Sequence, residues 1–165
     1  MSDVSIIYGS STGNTEAAAN QIARLLNGQT HNVAAADAND FDAKLLILGT
    51  STWGLGDLQD DWSVGISLLD RLDLNGQLVA LFGFGDQSGF ADSFVDGMGT
   101  LYAKAIERGA EVIGKTSAQG YGHSASTAEE NGEFCGLALD NDNEPDKTDA
   151  RIAAWVEQLK QESAS

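Results

Sequence analysis

The strongest constraint on the fold of this chain is a pair of uninterrupted apolar segments, residues 45–49 and 78–82. Strands covered on both faces lack the alternation of apolar and polar side chains, and such runs are typical of parallel sheets flanked by helices. A third segment, residues 4–8, is rich in β-branched and aromatic side chains. The three segments therefore predict inner strands of a parallel sheet.

Stretches with helical periodicity separate these strands. Ala18, Ile22 and Leu25 lie at i, i+4 and i+7, and similar apolar stripes occur at residues 62–69, 94–105 and 152–159. A weak second strand is predicted at residues 32–36, and a fifth strand at residues 111–117. Strands that alternate with helices form βαβ units, so residues 1–165 are predicted to be one doubly wound α/β domain, with a five-stranded parallel sheet in a three-layer α/β/α arrangement.

The fifth strand is predicted to be interrupted. Residues 118–133 are rich in Gly, Ser and Glu and show neither a helical nor a strand period, whereas residues 134–139 are again apolar. We therefore expect an insertion of about twenty residues within the last strand, judged from the break in periodicity.

Composition excludes several classes of function. The 25 Asp and Glu outnumber the nine Lys and Arg and give a net charge of −16, which repels nucleic acids and anionic membranes and favours basic proteins as partners. One cysteine and two histidines argue against a disulfide or a metal site. The chain has no long apolar segment and no secretory pattern after Met1, so a cytoplasmic location, or the stroma of an organelle, is expected.

In doubly wound sheets, ligands bind outside the carboxyl ends of the strands, where the strand order reverses. The loop after the first predicted strand combines hydroxyl and amide side chains with the start of a helix: Ser10, Ser11, Thr12, Gly13, Asn14 and Thr15. Such a loop can bind an anion through neutral donors. It lacks the spacing and the lysine of a Walker A loop, so a single terminal phosphate fits it better than a triphosphate. An ordinary Ser/Thr-rich turn with an N-cap is the alternative.

Two further strand-end loops present aromatic side chains. The loop after the third strand consists of Thr50, Ser51, Thr52, Trp53, Gly54, Leu55, Gly56 and Asp57. Its glycines let the backbone approach a flat ligand that stacks on Trp53; the alternative is a tryptophan that caps the sheet edge. The loop after the fourth strand runs from Gly83 through Gly85 and Asp86 to Phe90. It is a weak dinucleotide fingerprint, but it offers backbone groups and a second aromatic ring, the alternative being a flexible turn.

None of these loops contains a nucleophile paired with a base. His31 and His123 lie outside them and are predicted to face solvent, and Cys135 is predicted to be a small core residue.

Taken together, four motifs resemble the long-chain flavodoxin family, and the resemblance covers essentially the whole chain. They are the segments 9–15, 52–58 together with Trp62, 81–87 and 136–143. The resemblance implies the strand order 2-1-3-4-5 and an FMN site between strands 1 and 3, which are already known for this family.

The resemblance also implies roles for individual residues. Ser10 to Thr15 would hold the FMN phosphate, and Thr52 and Asp142 would lie near the ribityl chain. Trp53 would cover one face of the isoalloxazine ring, with Gly54, Leu55 and Gly56 along its reactive edge and Asp57 as a further cofactor-binding residue. Gly85 and Asp86 would bond its pyrimidine end. Phe90 stands where the family usually has a tyrosine on the second face, and Ser93 stands where it often has an asparagine.

The implied function is that of a low-potential one-electron carrier with non-covalently bound FMN, and not of an enzyme. Its expected partners are basic redox proteins of the ferredoxin–NADP reductase type, with photosystem or nitrogenase components as further candidates, and the chain is expected to be a monomer. The alternative is an FMN-dependent NAD(P)H:quinone reductase on the same fold, which Trp53 and Phe90 over the two flavin faces would disfavour. A signalling receiver is excluded because Gly9 and Thr50 lie where acidic residues would be needed.

Overall fold

The computed structural model describes residues 2–9, 13–53 and 57–163. Its strands are β1 (Ser2–Tyr8), β2 (Gln29–Asn32), β3 (Ala43–Trp53), β4 (Asp57–Leu58), β5 (Leu78–Phe84), β6 (Glu111–Val112), β7 (Thr116–Ser117), β8 (Glu129–Glu130), β9 (Glu133–Phe134) and β10 (Leu137–Leu139). Its helices are α1 (Asn14–Leu26), α2 (Asp60–Leu69), α3 (Asp96–Glu107) and α4 (Thr148–Ser163). Among the described helices, none has the length and apolar character needed to cross a membrane.

The main sheet confirms the predicted fold class. Its parallel strands run in the order β2-β1-β3-β5, and both β6 and β10 pair with β5 at the next position. With β6 and β10 counted as one interrupted strand, this is the order 2-1-3-4-5. The two apolar segments that anchored the prediction lie within β3 and β5, where Ile47 pairs with Ile6 on one side and with Ala80 on the other.

Helices cover both faces of the sheet, so each strand contributes to two cores by alternation of its side chains. One core lies under α2 and α3 and includes Leu46, Leu48, Trp62, Met98 and Leu101. The other lies under α1 and α4 and includes Ile6, Ile22, Ile47, Phe82 and Trp155. Phe94, which belongs to the predicted stripe of the third helix, is buried but precedes the first residue of α3.

The second strand was predicted at residues 32–36, and this is wrong. The strand is Gln29–Asn32, and Val33–Ala35 form a short 3-10 helix. The side-chain oxygen of Asn32 accepts a hydrogen bond from the N–H of Ala34 at 2.9 Å. Local bonds of this kind compete with strand pairing, so the strand ends where Asn32 caps the turn.

The fifth strand is interrupted as predicted, but its first part is shorter than expected. The predicted strand at residues 111–117 leaves the main sheet after Val112, and Gly114 adopts a φ of 81°, which favours glycine. Thr116–Ser117 belong instead to a small antiparallel sheet in the order β7-β9-β8. Residues 113–136, called the insertion below, thus contain paired strands, including β8 within the segment that lacked any period.

Candidate functional site

The carboxyl ends of the central strands border a cleft of about 370 Å³. Residues from all three predicted loops and from the segment after β10 line it: Asn14, Ser51, Thr52, Phe84, Gly85, Asp86, Phe90, Asn141 and Asp142. A larger cleft, of about 600 Å³, lies between α3 and the insertion and includes Tyr102 and Lys115. The smaller cleft is the candidate site, because it lies at the strand ends where the sheet order reverses.

The loop before α1 approaches the cleft through the start of that helix. Gly13 has a φ of 94° and precedes Asn14, whose side chain lines the cleft, and Thr15 is buried. The unpaired N–H groups of a helix N-terminus favour an anion at this position. Ser10, Ser11 and Thr12 lie outside the described residues.

Gly9 forms the base of the same loop, and its backbone is closely packed. A Cβ atom at this position would lie 2.2 Å from Oε1 of Gln59 and 2.7 Å from Cδ1 of Trp62. The carbonyl oxygen of Gly49 accepts bonds from Gly9 N–H at 3.1 Å and from Trp62 Nε1 at 2.7 Å. Trp62 therefore supports the loop that begins at Gly9, which explains why it accompanies the motif of residues 52–58.

Ser51 belongs to the predicted loop after the third strand, but no role was predicted for it, and it lines the cleft. Its hydroxyl oxygen is buried and has no hydrogen-bond partner among the described residues. The neighbouring Thr52 accepts a bond from Gly97 N–H at 2.8 Å, so its hydroxyl faces α3. Because adjacent strand residues point to opposite faces, Ser51 faces the side of α1 and Asn14. The signal in the sequence is three hydroxyl residues in a row after a buried strand.

Hydrogen bonds hold the turn of residues 86–90 together. The Asp86 carboxylate accepts bonds from Gly89 N–H at 2.7 Å, Ser88 N–H at 3.0 Å and Asn143 Nδ2 at 2.8 Å. These bonds, that of Gly89 first, lower the pKa of Asp86. The N–H of Phe90 donates to the Asp86 carbonyl oxygen at 2.9 Å, and 43% of Phe90 is exposed beside the cleft. The turn thus holds an exposed aromatic ring at a defined place.

The segment after β10 supplies the opposite wall. Asp142 lines the cleft, and burial together with the charges of Asp86 and Asp140 raises its pKa. Asp140 is fully buried, and its carboxylate accepts bonds from both sides of the cleft. Neither the strand pattern nor the loop motifs indicated the role of Asp140.

The remaining predicted site residues are placed as follows. Trp53 ends β3, where its backbone pairs with Asp57 of β4, but the side chains of both lie outside the description. Gly54, Leu55 and Gly56 also lie outside the described residues. Ser93 is buried, and its N–H donates to the Phe90 carbonyl oxygen at 3.2 Å.

The prediction that His123 faces solvent is wrong. Its side chain is only 6% exposed, its ring lies 5.2 Å from those of Phe94 and Phe134, and Nε2 contacts the Glu129 carboxylate. The polar composition of the insertion favoured an exposed histidine. The segment instead folds back over Phe94, and this buries the His123 side chain. His31 is partly exposed. Cys135 is a buried core residue as predicted, and burial raises the pKa of its thiol to about 12.

The fold and the cleft define a doubly wound α/β protein with a ligand site at its strand ends. The flavodoxin family model matches residues 6–155. A flavodoxin of a Nostoc species is 45% identical over 163 residues, which cover 96% of each chain, and that of Trichodesmium erythraeum is 45% identical over 168 residues, 98% of each. The crystal structure of Fusobacterium nucleatum flavodoxin bound to flavin mononucleotide has a TM-score of 0.92 at 33% identity and covers 98% of this chain and 99% of that one. The chain belongs to the flavodoxin family.

Proposed function

We propose that this protein carries single electrons between redox proteins by means of non-covalently bound FMN. The observation that carries the proposal is the cleft at the ends of the central strands, in a chain of the flavodoxin family. In such proteins the flavin supplies the redox chemistry, and the protein supplies binding, orientation and electrostatics.

The described residues fit an FMN molecule. The buried Ser51 hydroxyl, unpaired among the described residues, lies on the same side as Asn14 and the start of α1, and together they offer donors to a phosphate. Asp142 offers its carboxylate to the hydroxyls of the ribityl chain, and Thr52, whose hydroxyl accepts a bond from Gly97 N–H, would lie near that chain. Phe90 offers an exposed ring to one face of the isoalloxazine.

The motif residues outside the description complete the proposed site. Ser10, Ser11 and Thr12 would add donors to the phosphate, and Trp53 would cover the second flavin face. Gly54, Leu55 and Gly56 would border the reactive edge, and Gly85 and Asp86 would bond the pyrimidine end. Asp57 and Ser93 would be further residues of the site. Their assignment rests on the flavodoxin motifs in the sequence.

Redox partner oxidoreductases follow from membership of the family, whereas their identity is a proposal. The net charge of −16 favours basic partners, such as a reductase of the ferredoxin–NADP type or components of a photosystem or a nitrogenase. A monomeric state and a cytoplasmic or stromal location stay predictions.

An electron carrier and a quinone reductase can be told apart directly. The purified apoprotein should bind one FMN, seen in the visible spectrum, and should pass electrons from NADPH to a one-electron acceptor only when a reductase is added. Oxidation of NADH or NADPH by a quinone with this protein alone would favour the enzyme, and failure to bind FMN would contradict both functions.

A further inference from the structure

Gln87 joins three segments of the chain around the candidate site. It follows Asp86 and is 6% exposed. Its side-chain Nε2 donates to Oε1 of Glu144 at 2.7 Å, and its Oε1 accepts a bond from the N–H of Gly122. Its backbone N–H donates to Asp140 at 3.0 Å. One residue thus ties the turn of residues 86–90 both to the insertion and to the segment after β10.

Part of the insertion runs alongside that turn. The N–H groups of Ser124 and Ala125 donate to the carbonyl oxygen of Ala91 at 2.9 and 3.0 Å, and the N–H of Phe94 donates to Ala125 at 3.2 Å. We call residues 121–125 the brace. Its backbone bonds hold the residues that directly follow the turn that carries Phe90.

The brace is itself fixed to the body of the protein. The Tyr121 hydroxyl donates to the Ala138 carbonyl oxygen in β10 at 2.7 Å, and the Arg151 guanidinium of α4 lies 4.4 Å from the centre of the Tyr121 ring. His123 packs between Phe94 and Phe134. A bond from Gln87 to the brace therefore anchors the turn to β10 and α4.

We propose that Gln87 is a positioning residue: through the brace and Glu144, it fixes the turn that holds Phe90 against the isoalloxazine ring. The turn is closed internally, because Phe90 N–H donates to the Asp86 carbonyl oxygen and the Asp86 carboxylate accepts from Gly89 N–H. Anchoring one residue of the turn therefore anchors Phe90. A wall that is ordered before the ligand arrives reduces the entropy lost on binding. This inference rests on the proposed function.

The test compares Gln87→Leu with a matched control, Gln77→Leu. Gln77 Nε2 donates to the carbonyl oxygens of Phe41 and Ala43 at 2.8 and 3.1 Å, at the start of β3 and away from the cleft. Both variants lose two side-chain bonds, so both should lose stability as apoproteins. Only Gln87→Leu should raise the dissociation constants of FMN and riboflavin, by about tenfold each, and alter the visible spectrum of the bound flavin.

A reversed pair provides the rescue. Gln87→Glu alone sets two carboxylates against each other and should behave like Gln87→Leu. Combined with Glu144→Gln, it exchanges donor and acceptor between the two side chains, but the new amide loses the bond from Arg151 Nη2, which shares Oε1 of Glu144 with Gln87. Affinity and spectrum should therefore recover in part, to values between those of Gln87→Glu and the wild type. This comparison also decides the matter if Gln87→Leu does not fold.

The outcomes separate the two proposals. A wild-type protein that does not bind FMN overturns the proposed function. A wild type that binds FMN while Gln87→Leu matches Gln77→Leu overturns the positioning role, as does a reversed pair that restores nothing. If Gln87→Leu lost affinity for FMN but not for riboflavin, the effect would lie at the phosphate, and this would also overturn the positioning role.

Discussion

The carboxylate of Asp140 accepts a hydrogen bond from the backbone N–H of Gln87 at 3.0 Å, although 53 positions separate them in the chain. The same carboxylate accepts bonds from Asp142 N–H at 3.1 Å, and from Asn143 N–H at 3.0 Å and Nδ2 at 2.8 Å. Asp140 is fully buried, and a buried charge needs such partners. One acceptor group therefore joins the loops on both sides of the cleft.

Asp140→Asn should destabilise the apoprotein. The amide replaces one acceptor oxygen with a donor that faces N–H groups, so at least one bond is lost and a donor is left without a partner. Hydrogen bonds to charged groups contribute roughly 1.5–3 kcal/mol, and we expect a loss of this order in the free energy of unfolding in urea. Asp142→Asn is the control, since it removes a charge near Asp86 and Asp140. Equal losses in both variants would refute the role of Asp140.

Ser51→Ala should weaken FMN binding without weakening the apoprotein. Its buried hydroxyl has no partner among the described residues, so its removal should leave the free energy of unfolding unchanged or raise it. If the hydroxyl contacts the phosphate, affinity falls for FMN but not for riboflavin, as titration by fluorescence would show. Thr52→Val is the contrast: it removes the acceptor of Gly97 N–H and should destabilise the apoprotein. Unchanged FMN affinity in Ser51→Ala would remove Ser51 from the site.

Glu144→Gln should show a loss of stability that depends on pH. Bonds from Lys147, Gln87 and Arg151 lower the pKa of Glu144 from 4.5 to about 2 in the folded protein. A carboxylate with a lowered pKa stabilises the fold above its unfolded pKa, and this contribution is lost as the pH falls through the folded value. The difference between wild type and variant should be largest above pH 4.5 and should shrink towards pH 2.

Urea denaturation of the apoproteins over this range measures that difference. Glu157→Gln is the control, because Glu157 forms an exposed pair with Lys160, and exposed pairs contribute little. A difference for Glu144→Gln that stays constant with pH would show that its carboxylate is not the source of the effect.

Phe90→Ala should reduce flavin affinity more than stability. The side chain is 43% exposed, so its truncation removes little buried surface. Aromatic stacking contributes roughly 0.5–1.5 kcal/mol, which corresponds to a loss of about two- to tenfold in affinity for both FMN and riboflavin. Phe90→Tyr keeps the ring and should retain the affinity. If Phe90→Ala binds FMN as the wild type does, Phe90 does not stack on the flavin.

Electron transfer from a basic reductase should slow as ionic strength rises. The net charge of −16 attracts such a partner over a Debye length of about 8 Å at physiological salt. Stopped-flow rates measured at increasing NaCl concentration test this. A rate that does not respond to salt would argue against docking through the acidic surface.

The elements that the sequence predicts well are those whose burial is uniform. β3 and β5 are covered on both faces, so apolar runs mark them without ambiguity. The apolar stripe also located α1, although Leu25 of that stripe is 45% exposed and Leu26 packs against the core instead. β2 was displaced by a few residues and β6 was predicted too long, because each is short and has exposed positions. Their ends depend on the Asn32 side chain and on the turn at Gly114, which no periodicity reveals.

In the candidate site, too, the sequence predicts some residues and not others. Motifs identify residues that touch the cleft through a loop of their own, such as Asn14, Asp86 and Phe90. They do not indicate the roles of Gln87 or His123. The side-chain partners of Gln87 lie 35 and 57 positions away in the chain. His123 packs in an aromatic cluster with Phe94 and Phe134. Contacts between distant segments are a property of the folded chain, so local patterns cannot predict them.

The two parts of the interrupted strand, β6 and β10, pair with β5 in one continuous register. Leu78 and Val79 of β5 pair with Glu111 and Val112, so an unbroken strand would place residue 115 opposite Phe82. Leu137 occupies that place, and the difference between 137 and 115 is 22 residues. The insertion therefore leaves the sheet and the chain rejoins it in the same register. A chain shortened by those 22 residues could form the same strand with all of its pairs to β5. At this edge of the sheet, the insertion that contains the brace can therefore change in length without a change in the pairing of the strands.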